Sequence, residues 1–183
     1  MTASETSGTS PHASATSDSP AVSGGTGTTR EAGATEPTLF TRIINGEVPG
    51  RFVWADEVCV AFATIEPHTD GHVLVVPRCQ VDSFTDAPEE LVAHLAVVAR
   101  RVGATQTRVF QASRAGLVVA GYGVDHLHLH VLPIRSETDL SFASARHDVP
   151  GEALDAAMER LRAGLREDGW GEFVPSHLGS PAR

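Results

Sequence analysis

Hydrophobic positions change their period several times along the chain. Leu39-Phe40-Thr41-Arg42-Ile43-Ile44, followed by Gly46, predicts a short amphipathic helix closed by a glycine, with Val48-Pro49-Gly50 as a turn. The period then shortens. Phe52-Val53-Trp54, residues 58–62 and residues 72–77 are β-branched or aromatic runs of strand length, separated by turn residues such as Pro67 and Asp70-Gly71. They read as antiparallel neighbours with short connections. Thr85-Asp86 ahead of Pro88-Glu89-Glu90 marks a helix start, with a capping side chain, a proline in the first turn and carboxylates at the positive end of the dipole. Leu91, Leu95, Val98 and Val102 recur on one helical face, so this helix is expected to run to about Phe110 despite Gly103. A strand over 117–120, a loop with Gly121 and Gly123, and a strand over 126–132 ended by Pro133 follow. Leu154, Met158, Leu161 and Leu165 mark a last helix near 151–167, and the chain from Gly169 on reads as irregular.

Composition divides the chain. Residues 1–36 are mostly Ser, Thr, Ala and Gly, and Val22 is the one large aliphatic residue after Met1. Such a segment cannot bury enough apolar surface to offset its conformational entropy, so it is expected to be a disordered tail. A single domain over 37–135 and an extension over 136–183 account for the rest. All 14 basic residues in the Lys+Arg count are arginine. The absence of lysine excludes P-loop, protein-kinase and Schiff-base chemistry. A net charge of −9 opposes a nucleic-acid or membrane partner, since both rest on a broad cationic surface. Cys59 and Cys79 sit in or beside apolar runs and read as two buried thiols of a reducing compartment. With no secretory pattern and no apolar run near the roughly 20 residues of a membrane helix, a cytoplasmic protein is expected.

The chemistry points to His126, His128 and His130. Side chains alternate faces along a strand, which puts the three imidazoles on one side and Leu127, Leu129 and Val131 on the other. Three titratable rings in a row need assigned partners. Two readings follow, a metal site built from imidazoles or a phosphoryl site in which one ring is the nucleophile.

His-φ-His-φ-His-φ-φ over 126–132, where φ is apolar, resembles the signature of the histidine triad (HIT) nucleotide-binding proteins. The surrounding chain is similar in order. Leu39-Phe40 through Pro49 resembles the family's opening helix and turn, Phe62 with Ile65 and Pro67 its base-contacting segment, residues 71–77 its Gly-His-x-Leu-Val-x-Pro strand, and Ala120-Gly121 the small pair before the triad. The resemblance covers roughly residues 38–135. It implies an α+β fold with an antiparallel sheet of about five strands, a short N-terminal helix and one long helix, here with a C-terminal helix added. It also implies a homodimer paired through the long helix and a sheet edge.

The resemblance further implies hydrolysis or transfer at the α-phosphate of a small-molecule nucleotide, such as a dinucleoside polyphosphate or nucleoside phosphoramidate, without a cofactor. His128 would be the nucleophile, its second nitrogen donating to the backbone carbonyl of His126. His130 would bond phosphate oxygens or the leaving group. Leu39, Phe40, Phe62, Ile65 and Leu74 would hold the base, the loop Gly121, Tyr122, Gly123 and Val124 would offer backbone donors, and His72 would buttress the site. This chain departs from the family at four polar positions: Thr64 stands for the ribose-binding aspartate, Tyr122 for a glutamine, Gly123 for Ser/Thr and Ala115 for an asparagine. Arg114 and Tyr122 are candidate substitutes as phosphate contacts. The family's structural zinc site corresponds to Thr38, Thr41, Gln80 and His126, so no metal is expected there. The rival functions are a nucleotide-binding module with little turnover and a metal-dependent hydrolase using the three histidines. His12, His94, His147 and His177 are expected to be solvated.

Overall fold

The computed structural model describes residues 36–182. Apart from Glu36, the tail expected over 1–36 lies outside the described residues, as does His12. Helix α1 (Leu39–Ile44) starts at Thr38, whose hydroxyl accepts from the Thr41 N–H. Strands β1 (Phe52–Ala55), β2 (Cys59–Ala63) and β3 (Val73–Pro77) follow, then helix α2 (Glu89–Val109), strands β4 (Arg114–Val118) and β5 (Leu129–Ile134), and helix α3 (Gly151–Leu165). The five strands form one antiparallel sheet in the order β1-β2-β3-β5-β4. This is the α+β architecture expected from the sequence.

Each face of the sheet has its own core. Val53, Trp54, Ala61, Val73, Val75, Leu129 and Val131 face the stripes of α2 and α3, where Leu95, Val98, Val102, Met158 and Leu161 are buried. Phe52, Val60, Phe62, Leu74 and Val76 face α1 through Phe40, Ile43 and Ile44. The C-terminal helix therefore belongs to the main core. Beyond it, Phe173 stacks on Trp54 at 4.3 Å between centroids and the Arg101 guanidinium lies 4.3 Å from the centre of the Trp170 ring. The buried Arg162 donates to the carbonyls of Phe52 and Pro175, which anchors β1 and the chain end to α3.

Several boundaries differ from the sequence reading. Helix α2 begins at Glu89, with Pro88 at the cap and no side-chain capping bond, because Thr85 is engaged with Ser83 in the preceding turn. Strand β4 lies over 114–118 rather than 117–120. An edge strand paired only with β5 needs little apolar content, so Arg114 and Ala115 enter it by backbone bonding. Strand β5 continues through Pro133, which lies beyond the last β3 pair at Val131, so its missing N–H costs no bond on that side. Val53 and Trp54 both reach the helical face because the β1–β2 register slips between Phe52 and Trp54. Cys59 is buried as expected but Cys79 is exposed.

Candidate functional site

His126 and His128 precede β5, yet the alternation expected of a strand holds. Leu127, whose N–H bonds to the Val81 carbonyl at 2.6 Å, and Leu129 enter the helical core, leaving the three imidazoles on the opposite face. Pairing of Leu74 with His130 sets β3 beside the triad.

Fixed backbone partners determine the tautomer of every ring. A carbonyl can only accept, so His128 Nδ1 donates to the His126 carbonyl at 2.7 Å, leaving Nε2 with its lone pair. His126 Nε2 donates in the same way to the Pro77 carbonyl at 2.9 Å, and its Nδ1 accepts from the Thr38 hydroxyl at 2.8 Å. The third ring is set at one remove. The His68 backbone N–H donates to His72 Nδ1 at 3.2 Å, so His72 Nε2 carries the proton and donates to His130 Nδ1 at 3.0 Å. His130 Nε2 is then left as an N–H donor. Burial lowers the pKa of all four rings: His72 well below its usual value, His126 and His128 below theirs, and His130 to about 4, the last helped by the neighbouring His128 and His68. At neutral pH the site holds, among the described residues, one unengaged acceptor nitrogen on His128 and one unengaged donor on His130, with ring centroids 5.0 Å apart.

Both rings line a cavity of about 260 Å³ together with Ala120, Gly121, Tyr122, Gly123 and Phe142. A second cavity of about 310 Å³ shares His128, Ala120, Gly121 and Tyr122 and continues toward Asp82 and Phe84. Gly121 has φ +80°, the left-handed conformation that favours glycine, and this turn carries the loop past His128. Tyr122 is 98% exposed at the rim. Phe40 meets the His128 ring edge-on at 5.0 Å, which braces the imidazole from the α1 side.

The other expected residues divide. Phe40, Phe62 and Leu74 are buried together beside the triad face with Val124 packed against them, whereas Leu39 and Ile65 are exposed. The Thr64 hydroxyl accepts from the Glu66 N–H at 3.3 Å. Arg114 pairs with Ile134 while Val118 pairs with His130, so Arg114 lies four residues, roughly 13 Å, along β4 from the level of the triad. It is not brought to the site. Among the described residues the three imidazoles do not bring their nitrogens together as a metal-holding group, and both nitrogens of His126 and one each of His128 and His130 are engaged in hydrogen bonds. Thr38, Thr41 and Gln80 gather at His126 as a hydrogen-bonded cluster, the Thr41 hydroxyl donating to Gln80 Oε1 at 2.9 Å. Neutral hydroxyls and an amide do not suit zinc, which takes thiolate, imidazole or carboxylate ligands.

Three residues escaped the sequence reading. His68 joins the histidine chain, and its own Nδ1 donates to the Asp139 carbonyl at 3.1 Å. Gln106 is fully buried and donates to the carbonyls of Gly71 and Val131, which clamps β3 and β5 next to His72 and His130. Its signal was an amide continuing the apolar stripe of α2 one turn past Val102. His94, expected in solvent, is half-buried with Nε2 2.9 Å from Asp56 Oδ2. Asp56 also accepts from Trp54 Nε1 and the backbone of Val58 and Cys59. Burial opposes its charge, but these donors outweigh it and hold the carboxyl at about 2.

The HIT domain family model matches residues 45–137. An uncharacterised HIT-like protein of Mycobacterium tuberculosis is 34% identical over 135 residues, 69% of this chain and 94% of that protein. One from Methanocaldococcus jannaschii is 36% identical over 100 residues, 52% of this chain and 77% of its own length. Among solved structures, a zinc-bound histidine triad family protein from Mycobacterium smegmatis is similar with a TM-score of 0.63 and 30% identity, covering 72% of this chain and 95% of that one. A hypothetical histidine triad nucleotide-binding protein from Sulfolobus tokodaii is similar with a TM-score of 0.62 and 28% identity, covering 70% and 91%. Family match, relatives, fold and the placement of the three histidines agree: this chain belongs to the histidine triad family.

Proposed function

We propose that the protein is a nucleotide hydrolase or transferase that acts at the α-phosphate through a nucleotidyl-histidine on His128. The observation that carries this reading is the 2.7 Å bond from His128 Nδ1 to the His126 carbonyl, which directs the lone pair of a neutral imidazole through Nε2. In the first step Nε2 bonds to phosphorus as the bond to the leaving group breaks and the leaving group departs with its electron pair. His130 Nε2–H donates to the phosphate or leaving-group oxygen. The N–H groups of Gly121, Tyr122 and Gly123, which form no backbone hydrogen bond among the described residues and whose residues line the cavity with His128, are further donors for developing charge. Water then bonds to phosphorus, the N–P bond breaks, its electrons return to Nε2, and the water protons pass to the nucleotide and solvent.

Phe40, Phe62 and Leu74 supply the apolar wall for the base, and the exposed Ile65 and Leu39 its rim. A homodimer through the β4 edge fits the exposure of Leu117 on β4, Val119 just after it and Val97 on α2. A monomer mass at micromolar concentration in sedimentation would refute that pairing.

The test compares wild type with His128→Asn on adenylyl and guanylyl phosphoanhydrides and phosphoramidates, following released mononucleotide. Loss of at least about 10³-fold in turnover, with a trapped nucleotidyl-protein in wild type only, is the expected result. Equal rates would sink the nucleophile. Nucleotide binding with no turnover in either protein would instead establish a binding module.

A further inference from the structure

A cavity of about 480 Å³ shares no lining residue with the triad cavities, and its wall holds Arg135, Arg146 and Arg160 with Asp70 as the one carboxylate. In a chain of net charge −9, this is a local reversal of sign. We propose that this cavity is a binding site for a small, multiply charged phosphate anion of the pyrophosphate type. The proposal goes beyond the reaction at His128 and does not rest on it.

The arginines come from three segments, the residue after β5, the loop before α3 and α3 itself, and each is hydrogen-bonded in place. Arg135 Nη2 donates to the Phe110 carbonyl at 2.7 Å and Arg160 Nη2 to the neighbouring Val109 carbonyl at 3.0 Å. Consecutive carbonyls at the end of α2 therefore hold two guanidinium groups near each other, and Arg160 also lies 4.9 Å from the centre of the Phe110 ring. The negative end of the helix dipole favours cations there but offsets only part of two full charges. Arg146 has no such role. It is pinned by Nε to the Pro67 carbonyl at 3.2 Å and by Nη2 to Asp70 at 2.8 Å. A guanidinium presents five N–H donors, so most of each fork is unspent among the described residues. Gln111, which follows α2 at φ +51° where glycine is usual, also lines the wall.

Guanidinium forks arriving from three segments suit the several oxygens of a phosphate chain better than the two coplanar oxygens of one carboxylate. The volume admits a diphosphate with water. His68 lies in the same wall and donates its backbone N–H to His72, so the site adjoins the histidine chain without sharing the nucleophile.

Calorimetric titration of the full chain with inorganic pyrophosphate tests this, using wild type, Arg146→Gln, Arg160→Gln and His128→Asn. Arg146→Gln and Arg160→Gln should each weaken binding by about tenfold or more, while His128→Asn should bind within about twofold of wild type. Arg146→Gln leaves both guanidinium bonds to the end of α2 intact, so it decides the matter if Arg160→Gln is found unfolded by circular dichroism. No binding to wild type at millimolar pyrophosphate would overturn the proposal. So would wild-type affinity in Arg146→Gln, or affinity lost in His128→Asn alone, which would place the anion at the triad.

Discussion

Replacing His72 by phenylalanine keeps a ring of similar shape in a fully buried position and removes both of its hydrogen bonds. The His68 N–H and His130 Nδ1 each lose a partner. Each unsatisfied group costs about 1–2 kcal/mol here, since both are only partly buried, giving about 2–4 kcal/mol in total. A domain of 5–15 kcal/mol in typical stability still folds after such a loss. The larger effect falls on turnover. Without a donor at Nδ1, His130 is free to carry its proton there, which turns Nε2 into an acceptor facing phosphate oxygens. Removing one donor to transition-state charge costs about 10²–10³ in rate, so His72→Phe should lower turnover by that factor. The assays are mononucleotide release, urea denaturation, and two-bond ¹⁵N–¹H spectra that read which nitrogen of His130 is protonated. The relay also requires non-additivity: in a His130→Phe background the His72→Phe change should alter turnover less than about threefold. An unchanged His130 tautomer, or the same large loss in both backgrounds, would refute the reasoning.

Two further outcomes follow from the same geometry. Gly71→Ala would place a Cβ 2.3 Å from Phe110 Cε2 on a backbone with φ +91°. The left-handed backbone costs about 1–2 kcal/mol and the overlap about 1–3 more, so urea denaturation should show a loss of about 2–5 kcal/mol, and a loss under about 1 would contradict the packing. The lowered histidine pKa values fix a pH dependence. Below the ordinary value of 6.5 the unfolded chain binds protons that the buried rings resist, so stability is level above that pH and falls as pH drops toward about 4, the value for His130. A Tm that stays level across that interval would show that the rings are solvated.

Much of this site was legible because its signal is local. A period of two puts three imidazoles on one face whatever the rest of the fold does, and the apolar residues between them must then enter a core. The stripe of α2 and the runs of β1, β2 and β3 were legible for the same reason, since periodicity follows from backbone geometry and burial follows from the hydrophobic effect. Boundaries were less so. β4 moved because an edge strand is defined by its partner's backbone, and Cys79 proved exposed because neighbouring apolar residues do not dictate where one side chain emerges.

What the sequence by itself determined is the family, the sheet-and-helix architecture and the identity of the alternate histidines. Only the tertiary structure decided which nitrogen of His126 and of His130 bears its proton, because the Pro77 carbonyl and Thr38 hydroxyl reach His126, and His72 reaches His130, from separate segments. It also removed Arg114 from the triad by strand register, and it gathered Arg135, Arg146 and Arg160, which are scattered along the chain, around one cavity. The protons of His126 and His130 and the arginine cluster are set by distances of a few ångströms between residues far apart in sequence. No local pattern encodes those distances before the core closes.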